Sequence, residues 1–192
     1  MRKDVFVGKA VQNVVSFFVM YGDAQERDRE IYEYGITILF STMINLIITV
    51  IIGFVARIPL PLLAYCIPFL LLRGLAGGYH AKTFLRCVMF SSCIIIGVVL
   101  LILYIPRTFY LPFTGVFIIV SILIVYRYAP VVSTSRRIEK KDYSKMRKRA
   151  FSVLGLTTSV CLLLYLAGSM LQMFCVSLGA VVASMTLLIK HK

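Results

Sequence analysis

The sequence predicts an all-α, polytopic membrane protein of about six membrane-crossing helices, preceded by an amphipathic helix at the interface. Three observations predict it. Six apolar runs recur along the chain: Ile36–Val55, Ile58–Leu72, Val88–Ile105, Phe109–Tyr126, Phe151–Leu171 and Gln172–Ile189. Most approach the ~20 residues needed to cross ~30 Å of hydrocarbon. Basic residues are segregated into alternate connections between those runs, and no Asp or Glu occurs between Tyr34 and Ile138. A composition that is 60% hydrophobic, with a mean hydropathy of +0.91, lies well beyond that of a soluble domain.

The elements follow in order. Met1–Met20 lacks a compact apolar core followed by a small-residue cleavage site, so no cleavable signal peptide is expected. Instead Lys9, Gln12, Asn13 and Ser16 make a polar stripe opposite Val7, Ala10, Val11, Val14, Val15 and Phe18. That pattern fits a helix lying in the membrane interface, or one packed on the bundle. Asp23–Glu33 is a mixed-charge helical approach to the first span. The second run is the shortest and carries Pro59, Pro61 and Pro68, which predicts a kinked, partly spanning or re-entrant segment. Gly74, Gly77 and Gly78 then permit a tight backbone. Pro106 marks a short outer turn, Pro130 opens a long basic loop, and Lys140–Arg149 is predicted to form a helix on the membrane surface. The whole is expected to be one integral membrane domain. Residues 1–35 would form cytoplasmic and interfacial helices; 36–192 would form the bundle, including segment 73–87 and the basic loop 127–150.

A net charge of +13 raises the question of nucleic acid, and its placement argues against it. Five basic residues precede the first run, three lie between the second and third, nine follow the fourth and two end the chain, nineteen in all. The alternate connections hold only Arg57 and Arg107. Positive-inside reasoning places both termini, segment 73–87 and the basic loop in the cytoplasm, beside anionic lipid.

Of the five cysteines, Cys66, Cys93, Cys161 and Cys175 fall inside apolar runs, where small packing residues are the simplest reading. Neither a CxxC pair nor metal-type spacing is present, and no cofactor is expected. Cys87 differs in lying at a polar boundary on the reducing side, where it should remain a free thiol. One of the two histidines, His80, precedes it by seven residues. An imidazole that takes a thiol proton creates a strong nucleophile. On one straight helix the two would face alike but stand about 10.5 Å apart along the axis. The pair can meet only if His80 lies on a loop or bent helix start, which Gly77 and Gly78 make plausible. Glu33 is the acidic residue best placed to orient the imidazole; an interfacial helix charge is its plainer role. Arg73 has the planar fork to bind a peptide carboxylate, or it snorkels to headgroups. Lys82 and Arg86 flank the pair with positive charge, which favours a thiolate nearby. Arg136, Arg137, Lys140 and Lys141 would attract an acidic peptide segment or anionic lipid.

The pattern Arg73-x4-Gly78-x-His80-x6-Cys87, between a short second span and a third, resembles the accessory gene regulator B (AgrB) family. Glu33-Tyr34-Gly35 before the first span and Tyr128-Ala129-Pro130 before the basic loop extend the likeness to most of the chain. The resemblance implies a bacterial membrane cysteine endopeptidase that processes an AgrD-like propeptide, with Cys87 as nucleophile, His80 as base, and Arg73 and Gly78 as supporting positions. It also implies a homodimer. One departure is Val131–Arg137, where many relatives carry an acidic or polar run ending Asn-Lys-Pro.

Two other functional classes compete with this reading. A non-enzymatic peptide exporter suits six spans and a basic vestibule, but the spans hold almost no ionisable residues to mark a polar path. A lipid-modifying transferase would need acidic metal ligands, which are confined here to the N-terminal region and the basic loop.

Overall fold

The structure is a computed structural model that describes residues 11–17, 29–76, 84–129 and 140–188. Among them the regular elements are all helical: α1 (11–17), α2 (Arg29–Val55), α3 (Pro59–Ala76), α4 (Phe84–Tyr104), α5 (Tyr110–Tyr128), α6 (Lys140–Leu166) and α7 (Met170–Met185). A 3₁₀ turn, Arg107–Phe109, follows Pro106 and makes the short turn expected there. Among the described residues, four stretches are long and apolar enough to cross a membrane: Gly35–Val55, Leu85–Tyr104, Arg107–Tyr128 and Ser144–Leu166. The remaining two apolar helices, α3 and α7, are shorter, at 18 and 16 residues. This is an all-α polytopic membrane protein.

Several hydroxyls within the apolar helices satisfy themselves locally. Thr37, Ser41, Thr42 and Thr49 on α2, Ser121 on α5, Thr157 and Thr158 on α6 and Ser184 on α7 each donate to the carbonyl four residues back. In hydrocarbon, where water offers no partner, that arrangement makes such residues tolerable.

Two compact units are distinguished along the chain: Met1–Ile51 with His80–Ile96, and Ile52–Tyr79 with Gly97–Lys192. In the first unit α1 buries Val11 and Val15 against the chain itself, while Asn13 and Phe17 remain exposed. Covered valines favour packing, one of the two expected roles for this helix. Ser16 on α1 accepts a hydrogen bond from Arg29 Nη2 at 3.3 Å, tying α1 to the start of α2.

In the second unit α7 packs against α3, α5 and α6. Its residues Met173–Val181 are all buried, so neighbouring helices, not lipid, surround it. That explains how a helix of about 24 Å serves where a lipid-facing span would need about 30 Å. Small residues allow the close approach. A methyl group on Gly179 would overlap the Tyr65 carbonyl of α3 and come within 2.9 Å of Pro68 Cγ. Phe174 stacks on Tyr110 at 4.7 Å, and Ser177 Oγ reaches Thr114 Oγ1 at 3.2 Å, joining α7 to α5. One apolar cluster gathers Leu72, Val125, Ala150 and Leu187; another gathers Cys161, Met173 and Val176 with Ala64 and Ile118. The first cluster thus collects the C-terminal parts of α3, α5 and α7 around the basic early turns of α6. Arg57 and Arg107 precede the N-termini of α3 and α5, at the other end of this unit.

As expected of the second run, α3 is short and carries Pro68 in its interior, while Pro59 and Pro61 occupy its first turn, where a missing N–H costs nothing. Two details differ from expectation. Lys140–Arg149 is not a separate surface helix but the beginning of α6, because nothing between Lys140 and Leu154 interrupts helix propagation. The break expected near Leu171 lies earlier, at Ala167–Ser169. Gly168 adopts φ 72°; its N–H bonds Tyr165 O, and the Ser169 N–H bonds Leu164 O. These are the two bonds of a Schellman motif, which needs a left-handed residue to stop the helix.

Candidate active site

Cys87 lies in the first turn of α4, 7% exposed and with a free thiol. Leu85, Arg86 and Met89 on either side are exposed, so the sulfur faces inward while its neighbours face outward. Ser91 and Ile95 follow at spacings of four and are also buried, which defines one covered face of α4. The position joins two properties. First-turn N–H groups have no intrahelical partner and carry the positive end of the helix dipole. The body of the helix beyond them is strongly apolar. A reactive thiol placed there is at once near developing positive potential and near a dry wall.

Ser91 is the feature that sequence reasoning missed. It is 5% exposed, and its Oγ has no hydrogen-bond partner, a state shared among the described side chains by Asn45 Oδ1 and Tyr65 Oη but not by the self-satisfied serines and threonines of α2, α5, α6 and α7. Leaving a buried hydroxyl unpaired costs about 1–3 kcal/mol. The i, i+4 relation to Cys87 was visible in the sequence. Which face of α4 would be covered was not.

Glu33 sits on the early part of α2, half-buried. Its Oε1 lies 3.6 Å from Arg29 Nε, an i, i+4 ion pair whose Arg29 partner also holds Ser16. Its carboxylate therefore has a definite structural task in linking α1 to α2. Arg73, in the second unit, ends α3 and places its guanidinium 5.6 Å from the centre of the Phe69 ring. Phe69 in turn stacks on Tyr65 at 5.4 Å. A cation at a helix C-terminus is favoured by the dipole, and the aromatic face adds to that. Arg86 is exposed beside Cys87. Gly77, Gly78, His80, Lys82, Arg136 and Arg137 lie outside the described residues. Lys140 and Lys141 form the first residues of α6. Among the described residues no cluster of three His, Cys, Asp or Glu side chains could hold a metal ion.

On the basic end of the second unit, Arg147 of α6 donates to the Tyr126 carbonyl at 3.0 Å, and its guanidinium lies 5.2 Å from the Tyr126 ring. Phe151 meets the same ring edge-on at 6.5 Å. The arginine satisfies a carbonyl in the last turn of α5 that has no intrahelical donor, and so pins α6 to α5.

The family model for accessory gene regulator B matches residues 11–188. AgrB-like protein 2 of Clostridium perfringens (strain 13 / Type A) is 29% identical over 154 residues, covering 77% of this chain and 71% of the relative. An AgrB-like protein of Clostridium perfringens (strain SM101 / Type A) is 27% identical over 157 residues, again covering 77% and 71%. No solved structure shows a significant match. The family match spans every described element, from the valines of α1 to the end of α7, and takes in the whole Arg73–Cys87 segment. The chain belongs to the accessory gene regulator B family of membrane proteins, whose role is in quorum-sensing peptide processing.

Proposed function

We propose that this protein is a membrane cysteine endopeptidase of the bacterial cytoplasmic membrane that processes an AgrD-like propeptide. The observation that carries the proposal is the position of Cys87, a buried free thiol in the first turn of an apolar helix, within the matched family segment. His80 takes the thiol proton, and Sγ attacks the carbonyl carbon of the peptide bond preceding an acidic C-terminal tail. The C–N bond breaks, the proton passes from His80 to the leaving nitrogen, and the N-terminal portion stays on Cys87 as a thioester. A cysteine within the peptide then attacks that thioester. One thioester replaces another, the Cys87 thiol is regenerated, and a cyclic thiolactone is released for signalling. Water would divert the acyl group to a linear acid, so the apolar walls beside Cys87 matter for the outcome.

The chain's charge pattern supports an orientation with both termini and Cys87 on the cytoplasmic side. There Lys82, Arg86, Arg136, Arg137, Lys140 and Lys141 would meet the acidic tail and anionic lipid, and Arg73, Gly77 and Gly78 would shape the site. We propose a homodimer as the working assembly.

The test uses the full chain in liposomes with an AgrD-like propeptide, following tail release by mass spectrometry. Cys87→Ser and His80→Ala are each expected to slow release by at least about a hundredfold. Undiminished cleavage by both variants would overturn the mechanism.

A further inference from the structure

Ser91 occupies a place that neither packing nor backbone hydrogen bonding explains. It is 5% exposed, its hydroxyl is unpartnered, and it lies within a stretch long and apolar enough to cross a membrane. Eight other hydroxyls on α2, α5, α6 and α7, all but that of the exposed Thr158 buried or half-buried, donate to the carbonyl four residues back. For Ser91 that acceptor would be the Cys87 carbonyl, and the bond is not made. Ser91 stands about 6 Å from Cys87 along the helix axis on the same covered face. Side chains on a helix lean toward its N-terminus, so Ser91 tilts back over the turn that carries Cys87.

We propose that Ser91 Oγ donates a hydrogen bond to the carbonyl oxygen of the substrate while its carbon is bonded to Cys87 Sγ. Ser91 is then a catalytic residue for acyl transfer. The inference rests on Cys87 being the nucleophile. As the S–C bond forms, the carbonyl oxygen takes up negative charge; it returns that charge as the leaving group departs with its electron pair. A fixed O–H aimed at this oxygen in a water-poor site stabilises the transition state more than the ground state. The same contact would serve both halves of the reaction, because thioester formation and thiolactone formation pass through an oxyanion at the same carbon.

The test compares two reagents on the full chain in phosphatidylglycerol–phosphatidylcholine liposomes, with modification of Cys87 located by peptide mass spectrometry. p-Nitrophenyl acetate acylates the thiol through an oxyanion, with loss of p-nitrophenolate. Iodoacetamide alkylates it by displacing iodide, with no oxyanion. Ser91→Ala is expected to slow acylation about a hundredfold while alkylation changes less than about twofold. Ser91→Thr, which keeps the hydroxyl, is expected to recover most of the acylation rate. Melting in detergent should be unchanged or higher for Ser91→Ala, since an unpaired hydroxyl is removed. Equal effects on both reagents, or no effect on acylation, would overturn the proposal, as would a lowered melting temperature with both rates lowered in parallel. Cys87→Ala is run alongside on the propeptide. If it still releases the tail, the nucleophile assignment fails; if it is inactive while Ser91→Ala acylates normally, only the role of Ser91 fails.

Discussion

Arg57 and Gly168 end two helices by the same device with different side chains. Both adopt a left-handed backbone, φ 59° and 72°. At Arg57 the N–H bonds Phe54 O and the next N–H, of Ile58, bonds Gly53 O, repeating the pair of bonds made after α6. Only glycine takes this conformation without a Cβ penalty of about 1–2 kcal/mol. Arg57→Gly is therefore expected to raise stability by about 0.5–1 kcal/mol, read as a higher midpoint in a detergent-solubilised thermal melt. Gly168→Ala should lower it by about 1 kcal/mol. Neither stop was read from the sequence: Gly168 lies inside a run taken to Leu171, and an arginine gives no sign that its φ is positive. The Arg29–Glu33 pair shows a similar limit. Spacing places Glu33 near the first span, but only the structure shows Arg29 bridging it to Ser16. Arg29→Ala and Glu33→Gln should each cost roughly 0.3–0.5 kcal/mol, and the double variant should cost less than their sum, as a double-mutant cycle would report.

Among the elements, α7 sets the packing of the second unit, and its glycine is the sharpest probe of that packing. A Cβ at Gly179 meets backbone of α3 that cannot swing aside, whereas one at Gly115 on α5 meets nothing within 4 Å. Gly179→Ala is expected to destabilise by about 1–3 kcal/mol. Gly115→Ala should be neutral or stabilising by about 0.5 kcal/mol, since alanine is the better helix former. Equal melting temperatures for the two variants would contradict the central placement of α7. The existence and order of the six apolar helices were legible from run length alone. Their ends were not, because hydropathy does not register a Schellman stop inside an apolar run or the continuation of a helix into lysine and arginine. Nor does hydropathy distinguish a short helix sheathed by protein from one facing lipid. α7 reads as a span in the sequence and proves to be the buried centre of its unit.

For the whole molecule, charge and packing agree. The cluster that holds Leu72, Val125, Ala150 and Leu187 draws together the ends of helices carrying Arg73, Arg127 and Arg147, while Arg57 and Arg107 lie at the other end of that unit. The proposed positive-inside orientation would turn the Arg73–Arg147 end toward the cytoplasm. A cysteine at Thr108 should react with a membrane-impermeant maleimide in intact cells, and one at Lys148 should react only after the membrane is opened. The reverse pattern would overturn the topology. The candidate site was legible to a lesser degree. Cys87 stood out by its polar boundary, and the structure adds its burial and the covered face it shares with Ser91; His80 lies outside the described residues. The central claim is that Cys87 carries the acyl group. The most direct measurement is the intact mass of the chain after brief reaction with an AgrD-like propeptide whose internal cysteine is replaced by alanine, so that cyclisation is blocked. The account predicts an added mass equal to the peptide without its tail, attached at Cys87 and released by hydroxylamine. Tail release with no adduct, persisting in Cys87→Ala, would contradict it.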